Sequence, residues 1–252
     1  MSILEVIQRR HQAGKKSIAV LVDPDKVNDP GKLRHLIDLA NENCIDFFFV
    51  GGSLLTRSNL SQVIQTIKEN VSIPVVLFPG SSQQIDPAAD AILFLSLISG
   101  RNPDLLIGQH VQAAPLLRSY RMEVLPTGYM LINSGKLSSV AYISNTIPIP
   151  DDKYDIAACT ALAGQMLGLR LIYLDAGSGA ERAISAKMIA AVRKTIDVPL
   201  VVGGGINTRE KAQAALEAGA DMIVIGNALE KDPDLLTEIS EQVYAWNQQA
   251  EK

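Results

Sequence analysis

The chain has 252 residues, a formal net charge of −4, and 47% hydrophobic against 20% charged residues, a balance that supplies a large core and excludes disorder. Its Lys and Arg residues are scattered, with no basic stripe or aromatic–basic platform, which argues against nucleic acid as a partner. No apolar run reaches the roughly 20 residues of a membrane span, and the start Met1-Ser2-Ile3-Leu4-Glu5 lacks the basic-then-apolar order of a secretory signal, so a cytoplasmic location is expected.

Strand-like and helix-like segments alternate along the chain. The pattern predicts a strand over Ser17–Val22 and a helix over Lys32–Asn43, then a strand over Phe47–Val50 and a helix over Leu60–Asn70. A third strand, Pro74–Phe78, is followed by the polar stretch Gly80–Pro87, too short for a full helix. A loop is expected there, opening one side of the fold. The fourth strand is Ala91–Leu95 with a helix at Asp104–Ser119, and the fifth lies within Glu123–Leu131. Asn133–Pro150 holds Gly135, Pro148 and Pro150 with little helical period and reads as a long loop, a common place for lids and binding segments. Helix Asp152–Leu167, strand Leu171–Leu174, helix Ala183–Thr195, strand Leu200–Val202, helix Arg209–Ala218, strand Met222–Ile225 and helix Asp232–Asn247 complete the series. Eight strands alternating with helices predict one α/β domain over residues 1–252, a (β/α)8 TIM barrel with its third helix replaced by a loop.

The two cysteines, Cys44 and Cys159, sit in no CxxC and read as buried, reduced thiols. His11, His35 and His110 form no metal-spaced pair, so neither a zinc site nor a histidine-dependent triad is expected.

In such a barrel the site lies at the C-terminal ends of the strands. Three glycine turns stand there: Gly177-Ser178-Gly179 after the sixth strand, Gly204-Gly205 after the seventh and Gly226-Asn227 after the eighth. Strands that end in glycine and feed helices leave backbone N–H groups uncovered, and with the helix dipole these form an anion site that needs no Lys or Arg. A phosphate-bearing ligand is the first inference. Asp23 and Asp25 after the first strand offer hard oxygen ligands, and Asp23 with Ser53 after the second strand suits magnesium, which takes one or two carboxylates plus substrate phosphates. Asp175 is a lone acid on an otherwise apolar strand end and a candidate base, with Tyr173 on the same face of the strand.

The segments Leu21-Val22-Asp23-Pro24-Asp25-Lys26, Val50-Gly51-Gly52-Ser53, Tyr173-Leu174-Asp175-Ala176-Gly177-Ser178-Gly179-Ala180, Val202-Gly203-Gly204-Gly205-Ile206 and Ile225-Gly226-Asn227-Ala228-Leu229 carry a resemblance. In order and spacing over nearly the whole chain, they resemble the geranylgeranylglyceryl phosphate synthase family, which includes bacterial heptaprenylglyceryl phosphate synthases. Asp-Pro-Asp-Lys and Ala-Gly-Ser-Gly are similar to its second, longer-loop group. Its first group has a lysine where this chain has Leu21, and the sixth-strand acid, often Glu in the family, is Asp175 here.

The resemblance implies a magnesium-dependent prenyltransferase that joins the 3-hydroxyl of sn-glycerol 1-phosphate to an allylic prenyl diphosphate, geranylgeranyl diphosphate foremost, giving an ether and pyrophosphate. It places magnesium on Asp23 and Ser53, catalysis on Asp175 and Tyr173, and glycerol phosphate on Tyr173, Leu174, Asp175, Ala176, Gly177, Ser178, Gly179, Gly204, Gly205, Gly226 and Asn227. The prenyl tail is expected in the gap left by the missing helix, against Phe78, Ile85, Leu93 and Tyr129. A homo-oligomer is expected. Two alternatives stay open: another phosphate-binding barrel acting on a sugar or heterocycle phosphate, and a non-catalytic barrel scaffold.

Overall fold

The computed structural model describes residues 1–250. Eight parallel strands close into one barrel in sequence order: β1 (Ser17–Val22), β2 (Phe47–Val50), β3 (Val75–Leu77), β4 (Ala91–Leu97), β5 (Glu123–Leu131), β6 (Leu171–Asp175), β7 (Leu200–Gly203) and β8 (Met222–Ile225). β8 pairs back onto β1, with Ser17 beside Met222 and Val20 beside Ile225.

Alternation along each strand sorts side chains between two cores. Phe47 and Phe49 point into the barrel, where they meet Val76, Leu93, Leu125, Val201 and Val224. Phe48 and Val50 point outward onto the helices with Leu77, Ile172, Leu174, Val202 and Ile223. Burying each such side chain stabilises the fold by about 1.5–3 kcal/mol.

The helices begin with α1 (Ile3–Gln12), which the sequence reading does not anticipate. Ser2 and Glu5 close its N-terminus as a capping box. Its first N–H groups, on Ile3 and Leu4, donate to the Glu123 carboxylate at 2.8 Å each, and Ile7 is buried in the interior core. The helix therefore closes the N-terminal end of the barrel. The outer ring continues with α2 (Pro30–Glu42), α3 (Leu60–Asn70), α4 (Gln109–Tyr120, led in by a π-turn over Asp104–Gly108) and α5 (Ser139–Ser144). It closes with α6 (Tyr154–Met166), α7 (Ala186–Arg193), α8 (Arg209–Glu217), α9 (Asn227–Lys231) and α10 (Leu235–Ala250).

The connection from β3 to β4 stays non-helical, as expected. Four expectations are corrected. The long loop contains α5, started by Ser138, whose hydroxyl accepts from Ala141 N–H. The final helix, α10, starts at Leu235 rather than Asp232, just past Pro233, which lacks a helical donor, and an unexpected short helix, α9, precedes it directly after β8. β6 runs one residue further, so Asp175 lies on the strand itself and pairs with Leu131. Cys44 and Cys159 are both exposed rather than buried, Cys44 in a left-handed turn after α2 and Cys159 on the outer face of α6.

Candidate active site

The C-terminal ends of the strands enclose a cavity of ≈ 880 Å³. Asp23, Lys26, Ser53, Tyr129, Tyr173, Asp175, Gly177–Gly179, Gly204, Gly205, Gly226 and Asn227 all line it. A second, more apolar cavity of ≈ 300 Å³ adjoins it and shares Ser53, Gly80, Leu95, Tyr129 and Ile143 as walls. It lies where the third helix is missing, between the β3–β4 connection (Pro79–Ser82, Ile85), strand β4 and the α4 residues Gln109, His110 and Ala113.

Asp175 stands at the floor of the larger cavity, 7% exposed. Parallel register sets Tyr129 beside Tyr173 and Leu131 beside Asp175. From there the Tyr129 hydroxyl donates to Asp175 Oδ2, while Gly177 N–H donates to Oδ1 at 2.8 Å. Burial raises the Asp175 pKa above the usual carboxylate value, and these two donors partly oppose it. Burial, reinforced by the Asp175 charge, also pushes the Tyr129 and Tyr173 hydroxyls well above their ordinary value, so both stay protonated donors. Beneath the carboxylate lies an aromatic trio. Tyr173 stacks on Phe78 at 5.4 Å between centroids, and Tyr129 meets Tyr173 edge-on at 5.5 Å. Gly203 leaves room for it: a side chain there would come within 2.5 Å of the Tyr173 hydroxyl.

The glycine turns converge beside Asp175. Gly204 has φ +76°, and a Cβ on it would lie 2.7 Å from Asp175 Oδ1 and 2.9 Å from the N atoms of Ala176 and Gly177. The β6 and β8 turns are joined, because Asn227 Nδ2 donates to Ser178 Oγ at 3.0 Å. α9 follows Gly226 with no side-chain cap. Leu174 and Ala176 do not face this cavity; they are buried in the outer core, as strand alternation requires.

Asp23 accepts from Asp25 N–H at 3.1 Å, and its other oxygen lies 3.7 Å from Lys26 Nζ. Burial raises its pKa, with Lys26 opposing. Asp25 is not available as a ligand. Thr56 N–H and Oγ1–H donate to one of its oxygens at 2.7 and 2.8 Å, and Arg57 N–H donates to the other at 3.0 Å. Burial is the largest single influence and raises the Asp25 pKa, but these bonds and the Arg57 charge together outweigh it and hold Asp25 below the usual carboxylate range. Its work is to fasten the loop after β2 to the loop after β1.

The pattern of the PcrB family matches residues 11–243. The chain belongs to the PcrB family. It is 58% identical over 94% of both chains to the geranylgeranylglyceryl phosphate synthase of Spirosoma linguale. It is 50% identical to the enzyme of that name from Chitinophaga pinensis, over 94% of this chain and 93% of that one. Among solved structures, it is similar to (S)-3-O-geranylgeranylglyceryl phosphate synthase from Thermoplasma acidophilum in complex with its substrate sn-glycerol-1-phosphate. That likeness has a TM-score of 0.90 at 34% identity, covering 96% of this chain and 98% of that one.

Three residues of this PcrB-family site escape the sequence reading. Tyr129 is anticipated only as a groove wall, yet its hydroxyl holds Asp175. Lys26 reaches across the barrel closure to Asn227 Oδ1 at 2.5 Å and to Glu230 at 3.3 Å, which sets a cation beside the glycine turns. Lys136, on the long loop, brings its Nζ within 3.8 Å of where a Cβ on Gly179 would stand. Asp-Pro-Asp-Lys was the available signal for Lys26, but its partner lies 201 residues away. Of the four expected groove residues, Ile85, Leu93 and Tyr129 do line the apolar cavity, whereas Phe78 lines the larger one and stacks on Tyr173. His110 packs edge-on against Phe94 at 4.4 Å, and burial pushes its imidazole pKa down, so it serves as a neutral wall.

Proposed function

We propose that this chain joins the 3-hydroxyl of sn-glycerol 1-phosphate to C1 of an allylic prenyl diphosphate, geranylgeranyl diphosphate foremost, releasing pyrophosphate. The observation that carries this reading is a buried, hydrogen-bonded carboxylate placed between a ring of glycine turns and an apolar cavity. The first suits a small phosphate and the second suits a hydrocarbon chain. The names and bound substrate of the relatives support it.

In this reading the turns at Gly177–Gly179, Gly204–Gly205 and Gly226–Asn227 hold the glycerol phosphate through backbone N–H groups, with Lys26 and Lys136 supplying positive charge. Tyr173 orients the glycerol. As the bond from the glycerol oxygen to C1 forms, the C1–O bond to diphosphate breaks and its electron pair leaves with pyrophosphate. Asp175 takes the hydroxyl proton. Its negative charge also favours the positive charge developing on the allylic carbon. Tyr129 keeps that carboxylate oriented. The prenyl tail lies along Ile85, Leu93 and Leu95.

Asp23 and Ser53 fit magnesium. Asp23 brings one carboxylate to the β1 rim of the cavity, apart from Asp175 on its floor, and among the described residues no group of three or more His, Cys, Asp or Glu gathers to hold a metal unaided. That is the donor set of an ion that takes its remaining oxygens from water and substrate phosphates. When bound, magnesium neutralises charge on the departing pyrophosphate.

The test is incubation with sn-glycerol 1-phosphate, magnesium and a ladder of prenyl diphosphates, with products read by mass spectrometry. An ether-linked prenylglyceryl phosphate is expected. Intact diphosphates across the whole ladder would overturn the proposal.

A further inference from the structure

The segment 133–150 carries one charged side chain, Lys136. Yet it exposes four large apolar ones: Leu137 at 70%, Tyr142 at 74%, Ile143 at 46% and Ile147 at 87%. Rim loops that face only water carry charge and shed such groups; a contiguous apolar patch marks a partner. This patch continues onto the next unit of the barrel. Asn102 Nδ2 donates to Ser144 O at 2.8 Å, and Gly100 packs so closely on Thr146 that an added Cβ would meet it at 2.5 Å. Beyond this seam Ile107 and Val111, four residues apart on one helical face, are 60% and 65% exposed.

The patch is also the lip of the cavities. Ile143 lines both of them, and Leu137 and Tyr142 line the larger. Apolar side chains of this segment therefore lead from solvent into the space assigned to the prenyl tail, Val140 and Ile143 lining both cavities. A second copy or a folded partner seated permanently here would seal the mouth through which that tail enters. A fluid apolar phase would not.

Resting on the prenyl-transfer reading above, we propose that the rim formed by Ile107, Val111, Leu137, Tyr142, Ile143 and Ile147 docks onto a lipid bilayer with the cavity mouth facing the lipid. A long prenyl chain resides in the bilayer and so does its ether product, and docking lets both pass without crossing water. The composition suits shallow insertion: aliphatic side chains reach the acyl boundary and the Tyr142 hydroxyl stays among the head groups. Because Lys136 is the sole charge of the segment, the attraction is apolar rather than electrostatic.

The test uses the full chain with phosphatidylcholine vesicles in flotation assays. Binding is expected, and it should persist in about 0.5 M salt, where surface charge is screened within a few ångströms. Ile107→Glu with Ile147→Glu, two side chains that line neither cavity, should reduce the vesicle-bound fraction at least tenfold. The same pair should leave turnover of a short, water-soluble prenyl diphosphate unchanged. Vesicle binding that is absent, abolished by salt, or untouched by the pair overturns the proposal. So does sedimentation showing that the pair only dissociates an oligomer. Absence of ether product from every prenyl diphosphate, with vesicle binding intact, would instead strike the prenyl-transfer reading.

Discussion

Replacing Tyr129 with Phe removes one hydroxyl from the floor of the site and almost nothing else. Asp175 Oδ2 loses its donor in a buried place, while Oδ1 keeps the Gly177 N–H. A hydrogen bond to a buried charge is worth about 1.5–3 kcal/mol, and about 1.36 kcal/mol corresponds to one pKa unit. Burial already holds the Asp175 pKa above its ordinary value, and the substitution should raise it by about one to two units more. Since the base must be ionised, the acid limb of the single-turnover rate moves to higher pH by that amount. The plateau above the limb holds within about an order of magnitude. Stability follows the same sign. A carboxyl with a raised folded-state pKa binds more protons when folded, so the variant's deficit is full at neutral pH and shrinks as pH falls through the raised value. At neutral pH the melting temperature should drop by about 3–12 °C. The assays are rapid-quench single turnover from pH 5 to 9, and thermal unfolding at both ends of that range. An acid limb that stays in place while the melting temperature falls would show that Tyr129 only packs, and would refute the coupling.

Asp175→Asn should slow single turnover by about 10²–10⁴-fold with glycerol phosphate still bound; a near-unchanged rate would make Asp175 a structural residue. Asp23→Asn should abolish most turnover and alter the magnesium titration, while leaving the melting temperature nearly unchanged. Lys26→Met should raise the KM for glycerol phosphate about tenfold or more with kcat less affected, as expected for a lost charge-assisted contact; equal loss from kcat alone would place Lys26 elsewhere. Gly204→Ala forces a side chain into a left-handed backbone, within 3 Å of Asp175 and two backbone nitrogens. Calorimetry should find weakened glycerol phosphate binding and a lower melting temperature, and intact affinity would remove the β7 turn from the anion site.

The barrel was legible because its strands are short runs of β-branched and aromatic residues, such as Phe47–Val50 and Met222–Ile225, each ended by glycine or a polar turn. The glycine turns and Asp175 were legible for the same reason: chemistry stands out where an apolar run stops. α1 was not read, although Ser2 and Glu5 spell a capping box, because its apolar face packs on the barrel floor rather than on a neighbouring helix. α5 is too short for a period to emerge, and only Ser138 marks its start. The Tyr129–Asp175 bond joins residues 46 apart and the Lys26–Asn227 bond joins residues 201 apart. Such contacts exist only once strand register and barrel closure are fixed. Asp25 shows the converse: its acid suits a metal on paper, but the Thr56 and Arg57 donors claim it.

The closure of the barrel floor by α1 has a consequence for the chemistry above it. Below the aromatic trio the interior holds Phe47, Phe49, Leu125, Val201 and Val224, and under them Ile7 and the start of α1 sealed by Glu123. The polar groups of this floor are committed: the buried Thr127 hydroxyl donates to the Leu125 carbonyl at 2.8 Å, and the Glu123 carboxylate accepts from the Ile3 and Leu4 N–H groups. In the proposed reaction, the proton that Asp175 accepts has its open exit upward, through the mouth that also releases pyrophosphate and the lipid product. Deprotonation of Asp175 and emptying of the cavity therefore share one route, and resetting the base for the next turnover waits on departure of whatever still fills the mouth.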